Sequence, residues 1–315
     1  MLNRIIVLAA AIVVVVSASF TYVGIERGQN RLIVSTTTSL YDTKLLDGLS
    51  ESYFALCNIK LDFISAGTGI ALEHARRGDA DVVIVHAPAT ENKFLAEDVV
   101  GARKIIAYNF FAIVGQKDDP VGIQDMEPLE ALQKIAFTET TWVSRGDNSG
   151  THTKEKLLWK EVGISTEDQV WYLESGTGMG QTLTISSERR AYTLADTGTY
   201  LKYRVENLID LEILVDQGKE LLNVYSVMAV NPEINPNVKF SEAVKFIEFL
   251  VSEDGQDLIG NFGRAQYGSP LFYPAVHILE GNTKPEISGM IRDYAFLEGT
   301  ECPPKKRLGQ EHLYP

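Results

Sequence analysis

Asp81–Val82–Val83–Ile84–Val85 places four apolar residues in a row after a single acid, with no polar residue on either face of the strand it predicts. A half-exposed strand alternates; an unbroken apolar run is what a parallel strand covered on both faces requires. Upstream lie two more short strands, Leu32–Ile33–Val34 and Leu61–Asp62–Phe63–Ile64. Between them, Tyr41 to Leu56 carries Leu45, Leu46, Leu49, Tyr53 and Phe54 at helical spacing. A second helix from Ile70 to Arg77 stops at Gly78. The order β-α-β-α-β implies a doubly wound α/β sheet.

Two longer apolar runs, Asn109 to Val114 and Val224 to Val230, flank a middle section that repeats the α/β alternation. In that section Ile135–Ala136–Phe137, Trp171–Tyr172–Leu173 and Leu211–Glu212–Ile213–Leu214 read as strands. After it, Phe240 to Ser252 is an amphipathic helix. The expected architecture is two lobes, each a doubly wound sheet, joined by two crossing strands. Lobe 1 comprises residues 31–114 plus 225–275 and lobe 2 residues 115–224. A ligand cleft is expected between them. Residues 276–315, with EGNTKPEISG and ECPPKKRLGQ, read as an irregular C-terminal extension.

The 315-residue chain has a formal net charge of −13 and a pI near 4.9, which argues against nucleic acid as a partner. Its one short basic run, Lys305–Lys306–Arg307, reads as a solvated tail. Cys57 and Cys302 lack metal-like spacing; they either pair after export or stay free thiols. At the N-terminus, Arg4 precedes an apolar run from Ile5 to Val16, and Ser17–Ala18–Ser19 offers a cleavage site. Apolar character nevertheless persists to Ile25, close to the ~20 residues a membrane span needs. Residues 1–29 are a cleaved signal peptide or an uncleaved anchor; either exports the rest of the chain.

Three clusters fall where a strand gives way to a helix: TTTS (36–39), SAGTG (65–69) and SRGDNSGT (144–151). The first turn of a helix offers free N–H groups and the positive end of its dipole. Glycine admits close approach, and Ser and Thr add hydroxyl donors. A fully deprotonated dianion presents acceptors only, so a pocket of donors suits it. Hydrogen bonds to an ionised partner contribute roughly 1.5–3 kcal/mol each. One such cluster alone is a helix cap; three in one chain point to a divided oxyanion site, with Arg145 able to grip two oxygens.

A fourth stretch, ESGTGMGQT (174–182), has Gln181 where a phosphate loop needs lysine, so it reads as a glycine-rich loop lining the cleft. His86 reads as a hydrogen-bonded strand-end histidine rather than a ligand. Lys44 and Lys154 either add positive potential or are exposed. His152 lies near Ser144 and Ser149, but no third member of a catalytic triad is evident.

On these residues the sequence resembles the tungstate-binding protein family of ABC importers. The likeness runs from Val34 to about Pro274 through VSTTTSLYDTKLL, DADVVIVHAPATENKF, YNFFAIVG, SRGDNSGTHTKEKLLWK, WYLESGTGMGQTL, AYTLADTGTYL and YSVMAVNP. It implies a two-lobed type II periplasmic-binding-protein fold that closes on tungstate outside the cytoplasm and delivers it to a membrane permease. The oxyanion contacts implied are Thr38, Ser39, Thr68, Arg145, Ser149, Gly150 and Thr151. No cofactor, metal centre or catalytic group is expected, and a monomer is. Molybdate, nearly identical in size and charge, and then phosphate are the alternative ligands; a sensory ectodomain or an enzyme acting on phosphorylated metabolites are the alternative classes. The chain departs from the family pattern at Thr43–Lys44, where Ser-Gly is usual, and in the tail beyond Pro274.

Overall fold

The structure is a computed structural model that describes residues 30–314; the segment read as signal or anchor lies outside them. The chain begins β1 (Asn30–Thr37), α1 (Thr38–Asp42), α2 (Leu45–Cys57), β2 (Ile59–Ala66), α3 (Thr68–Arg77), β3 (Val82–Val85), α4 (Pro88–Ala96) and β4 (Val100–Gly115). It continues with α5 (Pro128–Phe137), β5 (Trp142–Ser144), α6 (Gly150–Glu161), β6 (Tyr172–Glu174), α7 (Met179–Arg189), β7 (Thr193–Asp196), α8 (Thr197–Val205), β8 (Glu212–Val215) and β9 (Leu222–Val230). Last come α9 (Phe240–Val251), α10 (Glu253–Asn261), β10 (Tyr273–Pro274), α11 (Val276–Gly281) and α12 (Pro285–Ala295). Among the described residues no helix is long and apolar enough to cross a membrane.

The unbroken apolar run of β3 is explained by which layer each residue serves. Val82 and Ile84 join the core under α2 and α9, with Leu46, Leu49 and Phe246. Val83 and Val85 point the other way, into the core under α3, with Ala71, Leu72 and Ala75. Period two across a doubly covered sheet therefore demands apolar side chains at every position. β1 pairs in parallel with both β2 and β3, and β3 pairs antiparallel with β9, giving the order β2-β1-β3-β9-β4-β10. Lobe 2 repeats the scheme. β5 lies parallel to β6 and, through the Trp142–Tyr192 bridge, beside the strand leading into β7, which pairs antiparallel with β4.

The lobes are joined more intimately than two separate sheets with connecting strands. β4 is one 16-residue strand: Val100–Phe110 pair with β9, and Phe111–Gly115 pair with β7 and β8. Asn109 and Asn223 stand opposite each other where the chain crosses. The strand starts nine residues before the apolar run at Asn109; Arg103 and Lys104 lie in this earlier part, and both are buried.

What buries them is the C-terminal region, which is not irregular. α11 and α12 pack Ile278, Leu279, Ile291 and Ala295 against Ile105, Tyr108, Leu222 and Val224. Arg103 Nη2 meets Glu91 Oε2 at 2.7 Å with both side chains wholly buried, and its Nη1 donates to the Ala295 carbonyl at 2.8 Å. Lys104 Nζ meets Glu301 at 2.6 Å. A second correction concerns Ile135–Ala136–Phe137, which ends helix α5. Pro128 starts that helix, and Ala131, Leu132 and Ile135 form its buried stripe, so a short apolar run was read with the wrong period. Cys57 and Cys302 belong to cores on opposite faces of the sheet and are both free, which removes the disulfide alternative.

Arg103→Leu leaves the Glu91 carboxylate buried without its partner and is expected to cost about 3–5 kcal/mol in urea unfolding. Arg31→Ala, which breaks the exposed Arg31–Asp62 pair, is expected to leave the midpoint nearly unchanged.

Candidate functional site

In an order such as β2-β1-β3, successive crossovers leave a crevice at the carboxyl ends of the central strands. Lobe 1 has one where β1 and β3 end, at TTTS and His86; lobe 2 has its counterpart where β5 and β7 end, at Arg145 and Asp196. The loops after β2 and β6 also correspond, SAGTG in one and SGTG in the other. α3 and α7 start after the glycine N-caps Gly67 and Gly178, neither of which makes a side-chain cap, so first-turn N–H groups stay free. α6 is capped by Ser149, whose Oγ accepts from His152 N, and α8 by Asp196, which accepts from Thr199 N at 2.8 Å.

Two cavities occupy this region. One of about 500 Å³ is lined by Thr38, Ser39, Arg145, Gly178 and Thr199, among others. A smaller one of about 290 Å³ is lined by Thr68, His86, Gly150 and Lys154, among others. His86 links them: its Nε2 lies 3.2 Å from Ser39 Oγ, and its ring packs against Gly150 so closely that a Cβ there would come within 2.7 Å of Cε1. Gly150 thus serves close approach rather than an unusual backbone angle. Ser149 and Thr151 line neither cavity.

Arg145 is 4% exposed. Its Nη2 donates to Asp147 Oδ2 at 2.5 Å, while Asp147 Oδ1 accepts from Ser149 N at 3.1 Å. Burial works against this carboxylate, but the Ser149 hydrogen bonds and the guanidinium outweigh it and hold Asp147 below its usual range. Three of the expected contacts carry a buried polar atom with no protein partner: Thr68 Oγ1, Arg145 Nε and Thr151 Oγ1. Leaving a buried donor unmet costs roughly 1–3 kcal/mol.

His86 is the residue that sequence reasoning undervalued. It does end a strand and is hydrogen-bonded, Nδ1 to Asn223 Oδ1 at 2.9 Å. Asn223 Nδ2 donates to Asn109 Oδ1 and to the Tyr225 hydroxyl, tying the ring to the interlobe crossing. Burial, with help from Arg145 and against the Asn223 hydrogen bond, pushes the imidazole down to about 4. Lys154, admitted in sequence as an exposed lysine, is buried; its Nζ sits 4.6 Å from the Tyr294 ring, and burial lowers it to about 8. Lys44 is exposed at the mouth of the larger cavity with φ 71°, a left-handed conformation that explains why glycine suits this position.

Neither serine beside His152 meets its ring. Ser144 Oγ donates to Glu155 Oε2 at 2.9 Å, and His152 Nδ1 accepts from Asn148 N. Glu155 anchors the strand behind the Arg145 loop, also accepting from Trp142 Nε1, Trp159 Nε1 and the Tyr172 hydroxyl. Burial nevertheless lifts its carboxyl to about 7 against the pull of those donors.

Two α/β lobes on a shared strand, with helix starts converging from both, define a solute-binding protein of the PBP superfamily, whose domain model matches residues 24–254. Within it the chain belongs to the tungstate-binding protein family. It is 40% identical over 251 residues to the tungstate-binding protein TupA of Peptoclostridium acidaminophilum, covering 79% of this chain and 87% of that one. The solved TupA of Desulfovibrio alaskensis G20 superposes with a TM-score of 0.72 at 41% identity, over 78% of this chain and 98% of its own. The crystal structure of the tungstate ABC transporter from Geobacter sulfurreducens gives 0.66 at 45% identity, over 74% and 98%.

Because Glu155 binds its proton more tightly folded than unfolded, the stability it contributes is greatest below pH 4.5 and is lost as the pH rises to about 7. Glu155→Gln is expected to abolish that slope, worth roughly 3 kcal/mol, in urea titrations at pH 5 and pH 7.5.

Proposed function

We propose that this chain is the solute-binding component of an ABC importer, taking up tungstate in the interlobe cleft outside the cytoplasm and passing it to the membrane permease. The observation that carries this reading is the set of partnerless buried atoms, Thr68 Oγ1 from lobe 1 and Arg145 Nε and Thr151 Oγ1 from lobe 2. Thr38, Ser39, Ser149 and Gly150 are proposed to complete the shell as the lobes close. A tetrahedral dianion with acceptors only matches this set.

Molybdate has the same shape and charge and is the nearest competitor; the family's tungstate-binding members favour tungstate. Protonated phosphate needs an acceptor; both oxygens of Asp147 are engaged by Arg145 and Ser149, and Asp196, whose Oδ2 is unpartnered, lines neither cavity. A binding role without catalysis is supported by the serines, whose hydroxyls serve Glu155 and a helix cap rather than a histidine ring. We further propose that the protein acts as a monomer.

Calorimetric titration with tungstate, molybdate, sulfate and phosphate tests the assignment. The expected result is sub-micromolar tungstate binding and rejection of sulfate and phosphate; micromolar or weaker tungstate binding, or preference for either competitor, would sink it. Arg145→Lys is expected to weaken tungstate binding by about 10- to 150-fold, since an ammonium cannot replace the planar fork. Asp147→Asn retains an oxygen for Ser149 N and is expected to change affinity by less than about tenfold.

A further inference from the structure

The two nitrogens of His86 face different neighbours. Asn223 spends both amide hydrogens on Asn109 and Tyr225, so the oxygen it turns to His86 is an acceptor and Nδ1 carries the ring's hydrogen. Nε2 is then the free lone pair, directed at Ser39 Oγ. In this state Ser39 gives its hydroxyl hydrogen to the ring, and neither group offers a donor to the cleft. Both nonetheless lie among the proposed oxyanion loops, Ser39 in the first turn of α1 and the His86 ring against Gly150 of the opposite lobe.

We propose that His86 is a further oxyanion-binding determinant: on arrival of the dianion Nε2 takes a proton from solvent and donates it to an oxyanion oxygen, while Ser39 is released to donate as well. One neutral imidazole, one proton and one dianion give an imidazolium–dianion pair, and the site gains two donors. The inference rests on the oxyanion reading above.

The charged and titratable groups around the ring come from several elements. Arg145 leads from β5 into α6, and the Tyr225 ring of β9 lies 4.9 Å away. Lys154 of α6 and Tyr294 of α12 share the smaller cavity with it. Asp196, at the end of β7, acts on both Arg145 and Tyr225. Arg145 is the charge that most directly keeps the free ring neutral. Its own counter-charge is Asp147, so an incoming dianion adds negative charge that this pair does not offset. That reverses the field at His86. Because the ring holds its proton more tightly in the complex, binding takes up a proton wherever the pH lies between the two values. Affinity then falls by up to about tenfold per pH unit through that window, which opens near pH 4 and closes at the ring's value in the complex.

The test is calorimetry of the full chain with tungstate at pH 7 in buffers of different ionisation enthalpy, such as PIPES and Tris. The dependence of observed heat on buffer gives the protons taken up. We expect close to one per tungstate in the native protein and close to none in His86→Gln, with its tungstate affinity at least about tenfold weaker. Nitrogen-15 spectra of the native histidine rings supply a second readout that does not depend on the variant folding: on tungstate addition the His86 pair should move to the imidazolium pattern. Saturable tungstate binding with no proton uptake, retained uptake in the variant, or a ring that stays neutral overturns the inference alone. Absence of tungstate binding in every buffer overturns the functional reading beneath it.

Discussion

An oxyanion that leaves water must exchange its hydration shell for fixed donors, and in a chain of net charge −13 free cations are a poor source of them. Arg145 is already paired with Asp147, and Lys154, at the smaller cavity, is buried with its Nζ turned to the Leu222 carbonyl. Backbone N–H groups at the starts of α3 and α7 have no such competitor, since their glycine N-caps carry no side chain to meet them. The fold follows from that requirement. Strands must end together so that several helices begin together, and only a parallel arrangement with covered faces aligns strand ends in this way. The apolar run Val82–Val85 and the polar cluster TTTS are therefore two consequences of one design: the first holds the sheet covered on both sides, and the second exploits the edge where it stops.

That edge is used twice. β2-β1-β3 followed by an antiparallel strand in lobe 1 is matched by β6-β5-β7 followed by β4 in lobe 2. The residues placed at equivalent strand ends differ. Lobe 1 presents neutral hydroxyls and a neutral imidazole; lobe 2 presents a guanidinium and a buried carboxylate, Asp196, whose free oxygen has no partner. Neither half offers a complete donor shell. The shared strand β4 and the asparagine pair at the crossing then give the division its mechanical meaning, because His86 is held by the same Asn223 that spans the junction.

Much of this was legible without coordinates. Local pattern identifies Val82–Val85, the helices beginning near Tyr41 and Phe240, and the three polar clusters at strand ends. What escaped depends on residues distant in sequence. Arg103 and Lys104 look like an interruption until Glu91, Glu301 and the C-terminal helices are brought beside them. Lys154 looks exposed until Tyr294, 140 positions later, covers it. Ile135–Phe137 was misread for a different reason, since three apolar residues at the end of a helix have no period of their own. Of the proposed contacts, Arg145 and Thr68 announced themselves through residue type and spacing, whereas His86 did not. A histidine after four apolar residues is ordinary, and only its two hydrogen bonds give it a direction.

The departure at Thr43–Lys44 shows how tightly the loop after β1 is constrained. Lys44 takes up the left-handed conformation that glycine occupies without strain, at about 1–2 kcal/mol for a residue with a side chain. The turn is nevertheless kept, with Thr43 Oγ1 donating to the Leu40 carbonyl at 2.7 Å. It must be kept because α1 lasts only five residues before α2 sets off to cover the sheet. A relaxed backbone at Lys44 would swing Leu46 and Leu49 of α2 off Val82 and Ile84 of the sheet, or swing Thr38 and Ser39 off the cleft. The covering of the sheet and the aim of the donors are thus fixed by the same two residues, and a tolerated strain there is smaller than the loss of either.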